Sequence, residues 1–338
     1  MIAALTWLAV GLAVAGSISV STLALRRLAV ARQERRTQTL EAQLTPVALA
    51  LLAEEGEDLR PLDGRELPVF ASLLARYSQR LSGSETTRIA EFFESKGGLD
   101  REVAVLDDRR DWKRATAAFA LGDMASPRAI PPLLRALEDR SAAVRAAAAR
   151  SLGRLDALDA VGPIVHGFSA DRLPRAVAGQ ALLAIGPSAL PALRELLDAE
   201  EADVREFSVE LVGLLGDASD NRVVMQRLRD SSAEVRAKAA RALGRLGADE
   251  ARTALLTTLA DRIPFVRASA AHALAAVGDR AAVSELLLVA RNDQFDPARA
   301  AAGAAARLDP AAVLRAAAAT GPGPHLREAA DLLNVTAR

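Results

Sequence analysis

The chain has 338 residues, and its 43 lysines and arginines balance its 43 aspartates and glutamates, so the formal net charge is zero. A neutral chain with 3% aromatic residues lacks the basic stripe and the stacking rings of nucleic-acid-binding domains, so we expect no nucleic-acid partner. The absence of cysteine excludes disulfides, thiolate metal sites and cysteine nucleophiles. Alanine and leucine dominate the composition, which favours an all-α fold.

The chain begins with an uncharged apolar segment, residues 1–25. About 20 such residues in a helix cross a hydrocarbon core of roughly 30 Å. No basic residue precedes the segment, whereas five arginines follow it: Arg26, Arg27, Arg32, Arg35 and Arg36. By the positive-inside rule, we predict one transmembrane helix with its N-terminus outside and the rest of the chain in the cytoplasm. Residues 2–25 would lie in the inner (plasma) membrane of a bacterial-type cell, with the arginines near the lipid headgroups.

A cleaved signal peptide is the alternative interpretation of this segment. Ala13, Val14 and Ala15 resemble a small-residue cleavage site, and cleavage there would leave a secreted or envelope-facing protein. A signal peptide has a basic region before its apolar stretch, and this chain has none. We therefore favour the retained anchor, and sequencing the mature N-terminus would separate the two.

Two helical segments follow the anchor. Residues 26–44 contain no glycine or proline and are predicted to form a basic helical stalk. Thr45 and Pro46 are predicted to begin the next helix, as its cap and its first residue. Residues 45–107 show helical spacing of apolar residues without a repeat, which predicts a helical N-terminal cap for the architecture that follows.

An arginine then recurs at intervals of 30 to 32 residues: Arg114, Arg145, Arg175, Arg205, Arg236, Arg267 and Arg299. Fixed periods of 20–50 residues mark stacked repeats. In the fifth repeat, which is the clearest, an alanine-rich helix follows the arginine, a leucine-rich helix follows that, and the apolar residues of both fall three or four apart. The same pattern recurs around the other arginines and is weaker in the segment that begins at Val204. We predict an α-solenoid of about seven two-helix repeats over residues 108–320 and a C-terminal capping helix over 321–338.

An aspartate stands six residues before the arginine in five of the seven repeats, and the alanine-rich helix ends in a Leu-Gly pattern. This combination resembles HEAT repeats, and in particular the short bacterial subtype named after phycobilisome lyases. The resemblance implies a hydrogen-bonded ladder between successive repeats, which is structural rather than functional. Its predicted members are Asp108, Arg114, Asp139, Arg145, Asp230, Arg236, Asp261, Arg267, Asp293 and Arg299.

Three repeats depart from this pattern. The third offers only Asp171, nearer its arginine, and the fourth has Asp198 one position too early. In the seventh, Leu308 falls one position early, which predicts a short helix.

The sequence predicts no catalytic residue, metal or cofactor. Its three histidines, His166, His272 and His325, belong to different repeats, and only His325 shares a helix face with a glutamate, Glu328. Deoxyhypusine hydroxylase, within the wider repeat class, binds two irons through adjacent His-Glu pairs, and no such pair occurs here. We expect His272 to be a core residue. Phosphate-binding loops and nucleophile motifs are also absent from the sequence.

In solenoids of this kind the second helix of each repeat usually lines the concave face where partners dock. The candidate partner-binding residues there are Arg135, Arg194, Glu195, Gln226, Arg227, Thr257 and Thr258. Their mixed polarity suits a protein or peptide better than a polyanion. The sequence therefore predicts a membrane-tethered cytoplasmic scaffold or adaptor without catalysis of its own. The alternative is a lyase or chaperone-like maturation factor for a cofactor-bearing protein.

Overall fold

A computed structural model describes residues 38–53, 66–78, 83–319 and 321–336. Throughout these ranges the regular secondary structure is helical, without a strand. The predicted transmembrane segment, the five arginines after it and the candidate cleavage site lie outside the described residues.

The chain packs as two compact units. The first contains the described residues up to Asp107 together with Ala120–Ala129, and the second contains Asp108–Phe119 and the residues from Ile130 onward. The second unit contains the repeated helix pairs, except for Ala120–Ala129 of the first repeat, which belongs to the first unit.

The first unit is built from helical residues 38–52 (α1) and from α2 (Glu66–Ser78), α3 (Ser84–Ser95) and α4 (Gly98–Val105). Its core includes an edge-to-face contact between the rings of Phe70 and Phe92, with centroids 5.1 Å apart. The prediction that Thr45 caps a new helix is wrong, because α1 runs through Thr45 and Pro46. The Thr45 hydroxyl instead donates to the carbonyl of Glu41 inside the helix, at 2.7 Å.

Each repeat contains a first helix and a second helix. The first helices of repeats 1 to 7 are α5 (Asp111–Asp123), α7 (Ala142–Arg154), α9 (Arg175–Ile185), α11 (Ala202–Leu215), α13 (Ala233–Leu246), α15 (Pro264–Val277) and α17 (Phe295–Leu308). The second helices are α6 (Ile130–Ala136), α8 (Val161–Ser169), α10 (Leu190–Glu195), α12 (Asn221–Gln226), α14 (Arg252–Thr258), α16 (Val283–Asn292) and α18 (Pro310–Ala318). A last helix, α19 (Pro324–Thr336), follows the seventh repeat.

The prediction of a short seventh helix is also wrong. The helix α17 has 14 residues, as many as α13 and α15. It ends one position early at Leu308, but it also begins one position early relative to its arginine, because Phe295 is already helical.

Small residues on the first helices let neighbouring repeats approach closely. A Cβ atom added at Gly213 of α11 would lie 2.5 Å from the Cβ of Ala242 on α13. At Gly244 of α13, an added Cβ would lie 3.0 Å from the Cα of Ala273 on α15. The equivalent position of α9 carries Leu183, and α9 packs on α11 less closely than α7 packs on α9 or α11 packs on α13.

We predict that Gly213→Ala destabilises the fold by about 1–3 kcal/mol, because the added methyl group overlaps Ala242 and forces the two helices apart. Gly303 of α17 is the matched control, since a Cβ added there would meet nothing within 4 Å. At this position alanine removes only the helix penalty of glycine and is expected to stabilise by up to about 1 kcal/mol. Urea denaturation followed by circular dichroism measures both, and equal effects of the two substitutions would contradict the close approach.

Candidate functional site

The recurring arginines connect the loop of one repeat to the loop of the next. In Arg236, Nε donates to Oδ2 of Asp261 at 2.7 Å, and Nη2 donates to Oδ1 at 3.0 Å. Nη1 of the same guanidinium donates to the carbonyls of Asp230 at 2.9 Å and Ser231 at 3.2 Å. One side chain therefore binds its own loop through backbone carbonyls and the following repeat through a carboxylate.

Three more arginines bind the carboxylate of the next repeat in this way: Arg114 with Asp139, Arg205 with Asp230, and Arg267 with Asp293. Such bidentate, charge-assisted hydrogen bonds are stronger than neutral ones. The contacts differ from pairing within one repeat, since the arginine reaches the residue six positions before it only through that residue's carbonyl. We call this set of contacts, with those of Arg145 below, the arginine ladder.

The aspartates are held as anions. Hydrogen bonds from Arg114 lower the pKa of Asp139 below its usual value, against the opposing effect of burial. Hydrogen bonds from Arg267 do the same for the pKa of Asp293. Asp139 also accepts from the backbone N–H of Ser141 at 2.7 Å, so it caps the turn that leads into α7.

The first repeat has no ladder arginine before it. The side chain of Asp108 accordingly pairs within its own loop, with Lys113 at 3.3 Å, and accepts from the backbone N–H of Arg110 at 2.9 Å. Only the carbonyl of Asp108 joins the ladder, as an acceptor from Arg114.

The third repeat changes the ladder for Arg145. The aspartate available to it, Asp171, is exposed and lies in left-handed backbone with φ 54°. Arg145 instead donates to the carbonyl of Arg172 at 2.9 Å, while keeping its contact with the carbonyl of Asp139.

Arg175 occupies the repeat position in the sequence but lies outside the ladder. It is the first residue of α9, whereas Arg145 and Arg205 are the fourth residues of their helices. The next loop has Ala199 where the aspartate would stand. Arg175 binds Glu210 at 2.8 Å and Glu206 at 3.1 Å on α11 instead.

This glutamate pair is shared with Lys238 of α13, whose Nζ lies 2.7 Å from Glu210. The rings of Phe168 and Phe207 pack beside Arg175 with centroids 4.5 Å apart, and the guanidinium lies 5.3 Å from the Phe207 centroid. The glutamate pair therefore joins repeat 3 to repeat 4 in place of a ladder aspartate, and the aromatic pair connects α8 of repeat 2 with α11 of repeat 4.

The predicted role of Arg299 is wrong. This arginine is exposed and makes no hydrogen bond or ion pair within the described part of the chain. The residues 25 and 26 positions further on are Pro324 and His325, so the sequence offers it no aspartate. The ladder ends with Asp293.

The second helices carry a row of exposed residues along the repeats. At one equivalent position of the second helix, every repeat has a buried aliphatic side chain: Leu133, Ile164, Leu193, Val224, Leu255, Leu286 and Val313. The residue two positions later is solvent-accessible in every repeat: Arg135, His166, Glu195, Gln226, Thr257, Leu288 and Arg315. We call these seven residues the second-helix row. Four of the predicted partner-binding residues, Arg135, Glu195, Gln226 and Thr257, belong to it.

The other three predicted partner-binding residues are used inside the fold. Thr258 is buried, and its hydroxyl donates to the carbonyl of Ala254 at 2.7 Å. Arg227 is largely buried against repeat 3, where it binds the carbonyl of Leu197 and the carboxylate of Asp198. Arg194 is half-exposed and donates to the buried carboxylate of Asp220 at 2.6 Å. The prediction placed Thr258 on the surface because it took two adjacent polar residues to share one face.

A shallow cavity of about 490 Å³ lies between α12 and α14, in repeats 4 and 5. Its walls include Arg222, Met225, Gln226, Arg229, Ala254 and Thr257. We call it the α12–α14 groove. It brings together Gln226 and Thr257, which are two neighbouring members of the second-helix row.

Two of the three histidines also belong to the surface. His166 lies in the second-helix row, and His272 is exposed on α15, so the prediction of a core His272 is wrong. Partial desolvation, with the charges of Arg307 and Arg241, lowers the pKa of His272. His325 is buried against the ring of Phe295, with centroids 4.7 Å apart and with Nδ1 3.7 Å from Glu328.

No group of three or more acidic or histidine side chains among the described residues is arranged to hold a metal ion. One described segment, Arg175–Asp198, is long and apolar enough by composition to cross a membrane, with a mean hydropathy of 1.5. It comprises α9, α10 and their connecting turns, and half of it is buried within the fold. Core helices of soluble proteins also meet this criterion, so the segment is weak support for a membrane span.

Comparison with protein families gives a match to the model described as HEAT repeats, over residues 101–182 and 221–307. These two stretches make up half of the chain. The chain belongs to the HEAT-repeat family. The unmatched residues 183–220 cover the junction of repeats 3 and 4, where Arg175 leaves the ladder. No curated protein sequence is significantly similar to the chain.

Several solved structures resemble this HEAT-repeat chain distantly. Human deoxyhypusine hydroxylase, in complex with glycerol, is 20% identical over 80% of this chain and 98% of its own, with a TM-score of 0.33. The YibA protein of Escherichia coli is 20% identical over 74% and 98%, with a TM-score of 0.39. An engineered protein is 18% identical over 87% and 86%, with a TM-score of 0.37. Similarity at this level carries no information about function.

Sequence reasoning missed several exposed residues of the HEAT repeats. Arg222 and Arg229 line the groove, and Leu288 and Arg315 continue the second-helix row. The signal for Leu288 was available, since it follows Thr257 by the same interval of 31 residues that separates Gln226 from Thr257. Leu288 was missed because it is apolar, whereas the predicted partner-binding residues are all polar.

We predict that Arg236→Ala destabilises the HEAT repeats by about 1–3 kcal/mol, because Asp261 and two loop carbonyls lose their charged donor. Arg299→Ala is the matched control, since Arg299 has the same place in the sequence repeat without the contacts. Its expected effect is within about 0.5 kcal/mol. Chemical denaturation of both variants tests the ladder. Equal changes in the free energy of unfolding for Arg236→Ala and Arg299→Ala would refute it.

Stability should also depend on pH through the ladder aspartates. Because the pKa of Asp293 is lowered in the folded state, its contribution is complete above the unfolded-state pKa of about 4 and is lost as the pH falls below it. We predict that Asp293→Asn lowers the free energy of unfolding at neutral pH. The difference in this free energy between the variant and wild type should become smaller when the pH is lowered to about 3. Asp331→Asn, at an exposed site, should show no such narrowing. A gap for Asp293→Asn that is independent of pH would argue against the ion pair.

Proposed function

We propose that this HEAT-repeat protein is a scaffold or adaptor that binds other proteins through the second-helix row and carries out no catalysis of its own. The supporting observation is the row itself. One solvent-accessible residue follows one buried aliphatic residue in all seven repeats, and the accessible set mixes charge, amide, hydroxyl and apolar groups. Mixed surfaces with few free charges suit protein partners, whereas polyanions require a basic stripe.

The ladder supports placing the binding surface on the second helices. It occupies the loops before the first helices with arginines and aspartates that already bind each other. Groups that are satisfied within the fold have little to offer a partner, whereas the second-helix row carries side chains that face solvent.

We also propose that residues 1–25 tether the protein to the inner membrane of a bacterial cell, with the repeats in the cytoplasm. The uncharged segment and the five arginines after it are the basis for this orientation. Tethering would raise the local concentration of the repeats near membrane-associated partners. The short repeat period also suits the bacterial phycobilisome-lyase subtype, to which we assign the repeats as part of the proposal.

Crosslinking in cells that produce the tagged full-length protein tests the function. We expect membrane-associated proteins to be captured, and Thr257→Asp with Leu288→Asp to reduce capture by about tenfold, because both charges disturb the row. Ala143→Asp with Ala176→Asp adds the same charge at exposed first-helix positions and should leave capture unchanged. Equal capture by the two double variants would contradict binding through the row.

The same preparation tests the tether and the enzymatic alternative. Deleting residues 2–25 should move the protein from the membrane fraction to the soluble fraction. A chromophore or a stoichiometric metal retained through gentle purification would instead favour a maturation factor for a cofactor-bearing protein.

A further inference from the structure

Two exposed arginines, Arg222 and Arg229, line the α12–α14 groove. Arg222 lies in the first turn of α12, and Arg229 lies in the short turn after its last residue, Gln226. Both side chains are exposed, and neither forms an ion pair or a side-chain hydrogen bond with another described residue. Their guanidinium groups are therefore available to a ligand.

The one other charged residue that lines the groove, Asp261, is already paired. Asp261, which contributes to the wall of the groove, is bound by both Nε and Nη2 of Arg236. Arg227, on the same turn as Arg229, is bound to Asp198 at 2.8 Å. Asp249 and Glu250 lie in a turn that contacts α12, but neither comes within 4 Å of Arg222. Neither Arg222 nor Arg229 therefore has an ion-pair partner among the described residues.

Between the two arginines the groove offers apolar surface and neutral hydrogen-bonding groups. Met225 and Ala254 provide the apolar surface, and methionine adapts readily to different partners. The hydroxyl of Thr257 donates to the carbonyl of Thr253 at 3.0 Å, which leaves its oxygen free to accept from a peptide N–H. The amide of Gln226 can both donate and accept.

We propose that the α12–α14 groove binds an acidic peptide segment of the partner protein, a proposal that rests on the proposed function. Arg222 and Arg229 are seven residues apart, which corresponds to about 12 Å along the α-helical and 3-10 turns between them. An extended peptide covers about 13 Å in four residues, and side chains four positions apart point to the same face. Two carboxylates at positions i and i+4 of an extended segment can therefore pair with the two arginines, while the side chain at i+2 covers Met225 and Thr257. No aromatic side chain lines the groove, which disfavours single-stranded nucleic acid as the occupant.

The test uses a library of random short peptides displayed on phage and panned against the detergent-solubilised full-length protein. We expect enrichment of peptides with aspartate or glutamate at positions i and i+4, and weaker binding of these peptides as the salt concentration rises. The double substitution Arg222→Gln and Arg229→Gln should weaken binding of the enriched peptides by about tenfold or more. Arg299→Gln with Arg245→Gln removes the same charge from two exposed arginines of the first helices that form no ion pair with another described residue, and should leave binding within about twofold.

Enrichment of basic or purely apolar peptides, or acidic peptides that bind the Arg222/Arg229 variant as well as wild type, would overturn the proposal. So would the absence of any enriched peptide, or selective loss of binding to a single-stranded RNA probe in that variant. The Thr257/Leu288 experiment separates these failures from a failure of the scaffold function. One result would support the scaffold function and contradict the binding of an acidic segment. In that result the Arg222/Arg229 variant captures the same partners as wild type, whereas the Thr257/Leu288 variant does not.

Discussion

The stack of repeats depends on one guanidinium group that binds two loops at once. Arg236 shows the complete arrangement, since it holds two carbonyls of its own loop and both carboxylate oxygens of Asp261 in the next repeat. A planar fork of donors suits this task, and a lysine ammonium in the same place would act as a single point charge. Because the arginine and its aspartate belong to different repeats, no repeat completes the contact alone. The interaction therefore fixes how one repeat is placed on the next.

Because the ladder and the close packing of repeats involve the first helices, the first and second helices have different roles. The first helices carry the ladder at their N-terminal ends and small residues along their contacts, as at Gly213 and Gly244, so their side chains serve packing. Each second helix buries an aliphatic residue at the same repeat position and leaves the residue two positions later accessible to solvent. Side chains can vary in the second-helix row without loss of the stack. That freedom is what a binding surface needs.

The sequence period predicted the two-helix repeats and the arginines well, because the same local chemistry recurs at a fixed interval and periodicity is visible without coordinates. It could not distinguish Arg175 or Arg299 from Arg236. Whether an arginine joins the ladder is decided by a residue in the following loop, and by where its own helix begins. Thr257 and Thr258 show that the sequence also leaves the binding face undetermined. Thr257 is exposed and Thr258 is buried, because α14 packs with Thr258 on its inner side. The prediction that Thr45 begins a helix failed for another reason. A threonine followed by proline can also occur inside a helix, when the threonine hydroxyl donates to a carbonyl of the preceding turn.

The arginine ladder is interrupted at repeats 3 and 4, and the α12–α14 groove lies directly after this interruption. Up to that junction the ladder is incomplete, because Arg145 uses a carbonyl and Arg175 uses glutamates of α11. From Arg205 onward it is regular through three successive repeats, ending at Asp293. The groove is formed by repeats 4 and 5, which Arg205 joins through Asp230, and its wall residue Asp261 is held by the next ladder arginine. Two helices fixed in this way present Arg222, Arg229 and Thr257 in one arrangement before a ligand arrives. A preformed surface loses less conformational entropy on binding than one that must first be ordered. The contact that stacks the repeats is thus also what would allow two surface arginines to select a spacing of carboxylates.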